Sequence, residues 1–329
     1  MKKKIKINFS DFGLQNNENF ILKDLSERYD VEFSDRPDFL FYSCFGLDHY
    51  WKYKNCVKIY YTGEFVPPDF SDCDYAIGFD DINFGKRYMQ YPYCMLHLNQ
   101  SIMDRKKILE KGLPKLFCNF IYSNSTIGEG ACHREQFCLE LSKYKHIDCP
   151  GKVLNNMYAE SLDKKKHSDW ATAKLDFISH YKFTIAFENI DADDYITEKL
   201  VQPLSVGSIP IYKGGGKGNF LKKFNPESFI NVNDYDTYDS LIREIVRIDN
   251  DDDAYMKMLM APPLLDRDIF RKQTEIKDFL YHIIERGNQP LLKDPRNKSL
   301  FHQKTIRSYV RQVDIVKRAH RFIRSLLHI

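Results

Sequence analysis

Residues 183–212 contain two apolar segments separated by a polar turn and a helical stretch. The segments Phe183–Phe187 and Ile209–Tyr212 are apolar along most of their length, which is typical of strands buried on both faces. Between them, Thr197–Ser205 has the apolar spacing of a helix. A strand, a helix and a second strand in such close succession predict a βαβ unit, and therefore a parallel sheet covered by helices.

The same alternation runs through the rest of the chain. Strand-like segments at Ile5–Phe9 and Val57–Tyr61 are accompanied by a helical stretch at Asn19–Tyr29. A length of 329 residues is long for one hydrophobic core and natural for two domains. The predicted fold class is therefore α/β, with two doubly wound domains that face each other across a ligand cleft.

We place the domain boundaries where the sequence changes character. The predicted parts are an N-terminal α/β domain over 1–112, a C-terminal α/β domain over 113–268, a helix over 269–288 that returns to the N-terminal domain, and a basic tail over 289–329. The first boundary falls within Gly112-Leu113-Pro114, which is typical of a linker.

Polar residues follow the strand Phe183–Phe187, at the end of a parallel strand where α/β proteins bind ligands. Asn189 offers an amide that both donates and accepts hydrogen bonds, Glu198 can accept from hydroxyls, and Lys199 can neutralise an anion. The segment therefore predicts a site for an anionic ligand. Its acidic turn, Asp191–Asp194, contains an Asp-x-Asp pattern that could bind a metal, but short acidic loops are common and we do not expect a metal there.

Two further elements supply candidate residues. Ser123 and Asn124 end a strand, and Arg134 opens the next helix, where it could hold an anion bidentately or could simply face solvent. Glu64 follows the strand Val57–Tyr61, where its carboxylate could project into the cleft or could cap a turn. The glycine run at 214–218 lacks the spacing of a phosphate-binding P-loop.

Charge is unevenly distributed. The tail 289–329 holds ten Lys and Arg against two Asp, a net charge of +8, which leaves −5 for the remainder of a chain whose total is +3. A mildly acidic body argues against a general nucleic-acid binder. The tail from Ile306 has apolar residues near a 3.6-residue period, with basic residues on the other side, which is typical of an interfacial membrane helix; packing on the body or on a second copy is the alternative.

Cysteine usage and hydropathy bear on the compartment. The eight cysteines form no CxxC pair and lie among apolar neighbours, as reduced core thiols do. No apolar run is long enough for a transmembrane helix, and the N-terminus has no apolar signal region. We therefore expect a cytoplasmic protein, peripheral on the inner face of the membrane through residues 303–329.

The segment FENIDADDYITEKLVQPLSVGSIPIY, residues 187–212, resembles the donor-binding signature of the α-1,3/4-fucosyltransferases of bacterial type. The segment Tyr61–Phe70 resembles a second family stretch, and PDFLFYSCFG near the start a third. Phe65 and Lys213 stand where the family usually has Asn and Trp. The resemblance covers most of residues 1–285 and implies the GT-B fold, with two Rossmann-like domains, the first on the acceptor side and the second binding GDP-fucose.

The resemblance also implies roles for the candidate residues. Glu64 matches the proposed general base of an inverting transfer. The residues that match the donor site are Ser123, Asn124, Arg134, Asn189, Tyr195, Glu198 and Lys199. Arg134 and Lys199 would bind the diphosphate, Glu198 would bind fucose hydroxyls, and Tyr195 would contact the phosphates or the fucose. With two such cations no metal or other cofactor is required.

The predicted function is transfer of L-fucose from GDP-fucose to a GlcNAc or Glc hydroxyl of a surface glycan, such as an O-antigen or a Lewis-type oligosaccharide. The expected acceptors resemble LacNAc, type 1 chains or lactose. Two alternatives stay open: a transferase of the same fold that uses another nucleotide sugar, and a non-catalytic, membrane-associated glycan-binding protein.

Overall fold

The structure is a computed structural model, and it describes residues 2–13, 19–110, 112–114, 116–124, 129–158, 162 and 169–291. The chain forms two compact units. Of the described residues, the first takes in those of Met1–Gly78, Ile82–Gln90 and 275–291, and the second takes in those of Phe79–Asp81 and Tyr91–Thr274. The predicted basic helix of the tail lies outside the described residues.

Helices and strands alternate in both units, as the sequence predicts. The described α-helices are α1 (Asn19–Arg28), α2 (Asp48–Trp51), α3 (Lys106–Glu110), α4 (Glu129–Ser142), α5 (Trp170–Ser179), α6 (Glu198–Val206), α7 (Tyr238–Asn250), α8 (Asp252–Met260) and α9 (Lys272–Glu285). None of these described helices is long and apolar enough to cross a membrane.

The first unit is built on a parallel sheet in the order β2-β1-β3-β4-β5-β6. Its strands are β1 (Lys3–Ser10), β2 (Tyr29–Phe33), β3 (Phe39–Tyr42), β4 (Val57–Tyr61), β5 (Tyr75–Gly78) and β6 (Tyr88–Gln90). Every residue of β3, β4 and β5 is buried. This explains why their sequences are apolar runs rather than alternating patterns.

The second unit is built on a parallel sheet in the order β11-β10-β9-β7-β8. Its strands are β7 (Leu116–Asn119), β8 (Ile147–Asp148), β9 (Tyr181–Phe187), β10 (Ile209–Lys213) and β11 (Ile230–Asn231). β9, α6 and β10 form the βαβ unit that the sequence predicts over 183–212. Gly207 ends α6 in a left-handed conformation (φ 84°) that suits glycine.

Residues 91–112 belong to the second unit, whereas the sequence analysis places the whole of 1–112 in the first domain. Arg105 shows the physical reason. Its buried guanidinium donates at 2.7 Å to the Leu204 carbonyl and at 2.7 and 3.0 Å to the Leu259 carbonyl. These carbonyls belong to the last turns of α6 and α8. Carbonyls in the last turn of a helix receive no hydrogen bond from an amide of the same helix. Burial lowers the pKa of Arg105 to about 10.

The helix predicted over 269–288 is observed as a 3₁₀ turn, Asp268–Arg271, followed by α9. From Glu275 its residues belong to the first unit. There Lys277 Nζ lies 2.6 Å from Glu27 Oε1, and the Tyr281 hydroxyl donates to the Asp24 carbonyl at 3.0 Å.

Candidate active site

The carboxyl ends of β10, β9 and β7 lie side by side at one edge of the second sheet. Ser123 and Asn124 follow β7, and the segment from Glu188 to Lys199 follows β9 and runs into the first turn of α6. Parallel strands therefore bring together polar segments that are more than sixty residues apart in the chain.

Arg134 is fully buried, with 0% of its surface exposed. Nη1 donates to Asn189 Oδ1 at 2.9 Å, Nη2 donates to the Asn124 carbonyl, and the guanidinium carbon lies 4.1 Å from the centre of the Tyr122 ring. Burial lowers the pKa of Arg134. The side chain nevertheless keeps its charge, because the pKa of an arginine lies far above neutral pH. The possibility that Arg134 faces solvent is therefore excluded.

The charge of Arg134 has no carboxylate partner in the described part of the chain. Both of its hydrogen-bond partners are neutral, and its buried Nε has no partner among the described residues. A buried charge is costly unless it is paired and hydrogen-bonded. The arrangement therefore suits an anionic ligand that would supply the missing negative charge.

The close contact between the start of α4 and the end of β9 determines where Arg134 lies. The Gly130 amide donates to the Asn189 carbonyl at 3.1 Å, and a Cβ on Gly130 would lie 2.3 Å from the Glu188 carbonyl oxygen. A side chain at this position would push the helix away from the strand end. Arg134 lies four residues further on, about one helical turn, and thus on the same face of α4.

Glu188 is a buried carboxylate that gathers the next segment around it. It accepts hydrogen bonds from the Thr197 amide at 2.8 Å, the Thr197 hydroxyl at 2.7 and 2.9 Å, Lys199 Nζ at 3.1 Å and the Tyr212 hydroxyl at 3.3 Å. Burial raises the pKa of Glu188, and the Lys199 charge opposes that rise.

Glu198 and Lys199 occupy the first turn of α6, behind the N-cap residue Thr197. Lys199 Nζ lies 3.8 Å from Glu198 Oε1, and Lys174 Nζ of α5 lies 3.9 Å from the same oxygen. Burial alone would raise the pKa of Glu198, but Lys199, Lys174 and His97 outweigh it and hold that pKa at about 2. Burial alone would lower the pKa of Lys199, and the two carboxylates raise it instead. Both side chains are ionised at neutral pH.

The remaining predicted donor residues differ in exposure. Tyr195 is buried, with its ring edge-on to Phe79 at a centroid distance of 5.3 Å. Ser123 is exposed at the end of its strand segment, and Asn124 contributes its carbonyl to Arg134. The structure thus brings Asn124, Arg134 and Asn189 into direct contact. It also brings Glu198 and Lys199 together, and Lys199 is paired with Glu188 as well.

The acidic turn and the glycine run bind each other. Asp191 Oδ1 accepts from the Gly216 amide at 3.0 Å, Asp193 Oδ1 accepts from the Lys217 amide at 2.7 Å, and Asp194 Oδ1 accepts from the Phe220 amide at 2.6 Å. These carboxylates therefore hold a loop. Among the described residues, no group of three or more His, Cys, Asp or Glu side chains could hold a metal ion.

Glu64 lies in the first unit, just beyond the carboxyl end of β4. Its amide donates to the Thr62 hydroxyl oxygen at 3.1 Å, and that oxygen lies 3.2 Å from Cys44 Sγ. The side chain is half-buried, and its carboxylate forms no hydrogen bond or ion pair with the described residues. A carboxylate without a partner is available to accept a proton.

Sequence reasoning missed four residues that shape this site: Tyr122, Gly130, Lys174 and Glu188. Glu188 lies within the motif FEN, directly before Asn189, and the apolar residues before it are the signal that could have identified it as a buried carboxylate. Nothing in the sequence distinguishes Lys174 from other helical lysines. It is 10% exposed at its side chain, and its ammonium lies 5.2 Å from the Trp170 ring.

Two parallel α/β sheets, with a candidate anion site at the carboxyl edge of the second, are the parts of the GT-B fold that many glycosyltransferases share. A solved structure titled alpha1,3-fucosyltransferase with GDP-fucose matches this protein with a TM-score of 0.69 and 25% identity, over 87% of this chain and 91% of that chain. A second, of an alpha1,3-fucosyltransferase with GDP, matches with a TM-score of 0.68. The predicted fold class is confirmed.

Family comparisons make the identification specific. Residues 7–97 match the alpha-(1,3)-fucosyltransferase FucT N-terminal domain, and residues 115–260 match the C-terminal part of glycosyltransferase family 10 (fucosyltransferase). The chain belongs to glycosyltransferase family 10, the fucosyltransferases. Glu64 falls in the first matched region, and the donor-site residues fall in the second.

Individual relatives agree with this assignment. An alpha-(1,3)-fucosyltransferase FucT of Helicobacter pylori is 30% identical over 279 residues, which are 73% of this chain and 55% of that relative. An alpha-(1,3)-fucosyltransferase B of Drosophila melanogaster is 37% identical over 126 residues, 37% of this chain and 28% of the relative. The chain thus spans about half the length of the first relative and less of the second.

Proposed function

We propose that this chain is an inverting α-1,3(4)-fucosyltransferase that moves L-fucose from GDP-fucose to a GlcNAc or Glc hydroxyl of a surface glycan, either an O-antigen or a Lewis-type oligosaccharide. Family membership supports a fucosyl transfer. Two similar solved structures are of alpha1,3-fucosyltransferase with GDP-fucose and with GDP, which supports the choice of donor.

The observation that carries the proposal is the buried Arg134, which forms no ion pair with a carboxylate among the described residues. Its guanidinium keeps a nitrogen without a partner among the described residues, at the edge of a parallel sheet where ligands bind. Lys199 adds a second cation to the same strand end. Arg134 contacts Asn189, and Lys199 contacts the residue before it, Glu188. A diphosphate would place its charge between these two groups and the N-terminus of α6.

The chemistry then requires one base and a stabilised leaving group. Glu64 takes the proton from the acceptor hydroxyl while the hydroxyl oxygen forms a bond to the anomeric carbon of fucose. The bond from that carbon to the phosphate oxygen breaks, and GDP leaves with the electron pair. Arg134 and Lys199 stabilise the negative charge that accumulates on the diphosphate. Attack from the face opposite the leaving group inverts the anomeric configuration.

Glu198 suits the fucose hydroxyls because its pKa near 2 keeps it an acceptor at all working pH values. Two cations and a helix N-terminus supply the charge that a metal would otherwise supply, so we propose a metal-independent enzyme. We expect turnover to be unchanged in EDTA. Loss of turnover that is restored by Mn²⁺ or Mg²⁺ would contradict this.

Donor identity is tested by calorimetric titration of GDP, GDP-fucose, UDP-sugars and CMP-sugars. We expect heat only with the guanine nucleotides, and an Arg134→Met variant should lose most of it. Arg247→Met is the matched control, because Arg247 is an exposed arginine of the same unit whose partners are Glu244 and Asp251. Binding of a UDP- or CMP-sugar in place of GDP-fucose would favour a different transferase of the same fold.

Turnover and its stereochemistry are tested with a panel of lactose, LacNAc and type 1 acceptors. NMR of the product gives the linkage position and shows whether the anomeric configuration is opposite to that of the donor. Binding of glycan with no turnover of any donor on a broad panel would favour a non-catalytic glycan-binding protein.

The cellular site of action is part of the proposal. The basic, amphipathic pattern of residues 303–329 supports a peripheral attachment to the inner, anionic face of the membrane, with the enzyme in the cytoplasm.

A further inference from the structure

Glu188 is a carboxylate that nothing assigns to the reaction, and it lies in the centre of the donor site. Its side chain is 0% exposed and has no free oxygen to offer a substrate. Its oxygens are already occupied by the Thr197 amide and hydroxyl, Lys199 and Tyr212. Any effect on the reaction must therefore pass through a neighbour.

Lys199 is the neighbour that matters. A lysine side chain is a flexible stem with a point charge, and it loses much rotamer freedom when its ammonium is fixed. Here Nζ is held at 3.1 Å from Glu188 and 3.1 Å from the Thr197 hydroxyl, with Glu198 at 3.8 Å. The ammonium is fixed before any substrate arrives.

Glu188 also fixes the backbone that carries Lys199. Its Oε1 accepts from the Thr197 amide at 2.8 Å, and Thr197 is the N-cap of α6, accepting in turn from the Lys199 amide. The N-terminus of α6 and the ammonium are thus oriented by one carboxylate. Gly214 makes room for it, since a Cβ there would lie 2.4 Å from Glu188 Cγ.

The two cations of the site are consequently unlike each other. Arg134 has neutral partners, whereas Lys199 is paired with Glu188. The unpaired arginine attracts the diphosphate in the ground state. The fixed lysine contributes most when charge shifts onto the departing phosphate oxygen, because preorganised groups need no rearrangement at that moment.

We propose that Glu188 is a positioning residue of the transfer, which holds the Lys199 ammonium and the start of α6 in place for the departing diphosphate. This rests on the proposed function, since it assigns Lys199 to that leaving group. It predicts that loss of the Glu188 charge lowers the rate of the chemical step more than it weakens nucleotide binding.

The test is a double-mutant cycle of Glu188→Gln and Lys199→Met, with kcat, KM for GDP-fucose, and Kd for GDP measured for each variant. Glu188→Gln alone should lower kcat about 10- to 100-fold, as removal of a preorganised charge does. Its Kd for GDP should be unchanged or tighter, because a negative charge has been removed from an anion site. In the Lys199→Met background, the same change should alter kcat less than about 3-fold, since Lys199 is no longer there to be positioned.

The matched control is Asp249→Asn. Asp249 is a buried carboxylate of the same unit, 1% exposed at its side chain, and it is paired with Lys145 at 2.9 Å and Lys182 at 3.1 Å. Its loss should lower the melting temperature while kcat and KM stay as in the wild type. This separates positioning from a general loss of stability.

If Glu188→Gln does not fold, Glu188→Asp keeps the charge and shortens its reach, and it enters the same cycle with the same expectation. Equal losses of kcat in the wild-type and Lys199→Met backgrounds would overturn the inference and leave the proposed function standing. So would a Glu188→Gln loss that appears wholly as weaker GDP binding. Absence of GDP-fucose turnover in the wild type would instead remove the proposed function.

Discussion

Arg134 shows how one side chain acquires a role from its surroundings. The sequence predicts that Arg134 opens a helix, but α4 begins at Glu129, and Arg134 lies in its second turn. An arginine on a helix is usually solvent-facing, and its sequence position alone leaves both interpretations open. Tyr122 lies under its guanidinium, and Asn189 and Asn124 accept its hydrogen bonds, so the side chain is buried without a direct ion pair to a described carboxylate. Such a residue is costly to the folded protein and is best explained by a ligand of opposite charge.

Glu64 is tested by substitutions that separate charge from shape. Glu64→Gln keeps the size of the side chain, but the amide cannot take the proton from the hydroxyl of the acceptor sugar. We therefore expect kcat to fall about 100- to 10,000-fold. KM for GDP-fucose should change little. The measurement is steady-state kinetics with one acceptor held at saturation. A Glu64→Gln enzyme as fast as the wild type would remove Glu64 from the role of base.

His49 in the first unit lies between two buried carboxylates. Nδ1 is 2.5 Å from Asp11 Oδ2, Nε2 is 2.9 Å from Asp72 Oδ2, and the imidazole stacks on Tyr42 at 4.1 Å. Burial alone would lower the pKa of His49, but hydrogen bonds to Asp11 and Asp72 outweigh it and raise that pKa. Burial alone would raise the pKa of both aspartates, but His49 lowers it. The amides of Asp48 and His49 add to this effect at Asp11, and Lys58 and the Tyr42 hydroxyl add to it at Asp72.

The sign of the pH dependence follows from these shifts. A histidine whose pKa is raised on folding contributes stability that is fully present below its unfolded value, about 6.5, and is lost as pH rises through the higher folded value. His49→Phe, which keeps a ring against Tyr42, should cost about 3–5 kcal/mol at pH 6 because two buried carboxylates each lose a charged hydrogen-bond partner. The cost should shrink as pH rises above about 6.5.

Urea unfolding of wild type and variant across pH 6 to 9 gives this difference. His146→Phe is the control, since His146 is an exposed histidine whose only described pairing is with Asp148. A His49→Phe cost that stays constant over this range would show that the imidazole is not charged in the folded protein.

At the scale of elements, the site depends on how closely α4 approaches the end of β9. The contact is made through backbone, because Gly130 donates to the Asn189 carbonyl and has no room for a side chain. The position of Arg134 is therefore set by a glycine four residues earlier, which no residue-by-residue motif comparison would select.

Gly130→Ala should lower kcat/KM about 100-fold, because the start of α4 must move and displacements near 1 Å at a catalytic site cost that much. Elsewhere in a helix the same change would stabilise by about 1 kcal/mol. Steady-state kinetics tests the expected loss of kcat/KM, and thermal unfolding tests whether Gly130→Ala gives the stabilisation that is usual elsewhere in a helix. Gln136→Ala, an exposed position of the same helix, is the control and should change neither. Normal kinetics for Gly130→Ala would show that the approach of α4 is not critical.

The loop elements show a different lesson. The acidic turn 191–194 looks like a metal site and the glycine run 214–218 looks like a phosphate cradle, yet each is the hydrogen-bonding partner of the other. Asp194 and Gly214–Gly216 adopt positive φ angles to make these contacts. Short polar motifs are ambiguous because their backbone partners are distant in sequence.

At the scale of the whole molecule, chain order and spatial grouping differ. The last described helix, α9, contributes to the first unit, and residues 79–81 contribute to the second. Contacts such as Lys277 with Glu27 join residues 250 positions apart. A linear division of the chain into domains therefore cannot reproduce the compact units.

The tail bears on the protein as a whole. Deletion of residues 303–329 removes seven of the ten Lys and Arg side chains of the tail 289–329, together with the apolar positions of its helical pattern. We therefore expect the shortened protein to be released from anionic vesicles. Co-sedimentation with anionic and with neutral vesicles measures this, and turnover on a soluble acceptor should be retained. Unchanged co-sedimentation of the shortened protein would place membrane contact elsewhere or remove it.

The sequence by itself determined the parallel α/β architecture, because strands buried on both faces must be apolar runs and helices must follow a 3.6-residue period. It also determined the family, through motifs at Glu64 and over 187–212. Tertiary structure decided the rest. Contacts between distant segments bury Arg134 and pair Glu188 with Lys199. Such contacts also make the acidic turn a hydrogen-bonding partner of the glycine run. Periodicity and local motifs describe a residue's own element, and these roles are fixed by the neighbouring one.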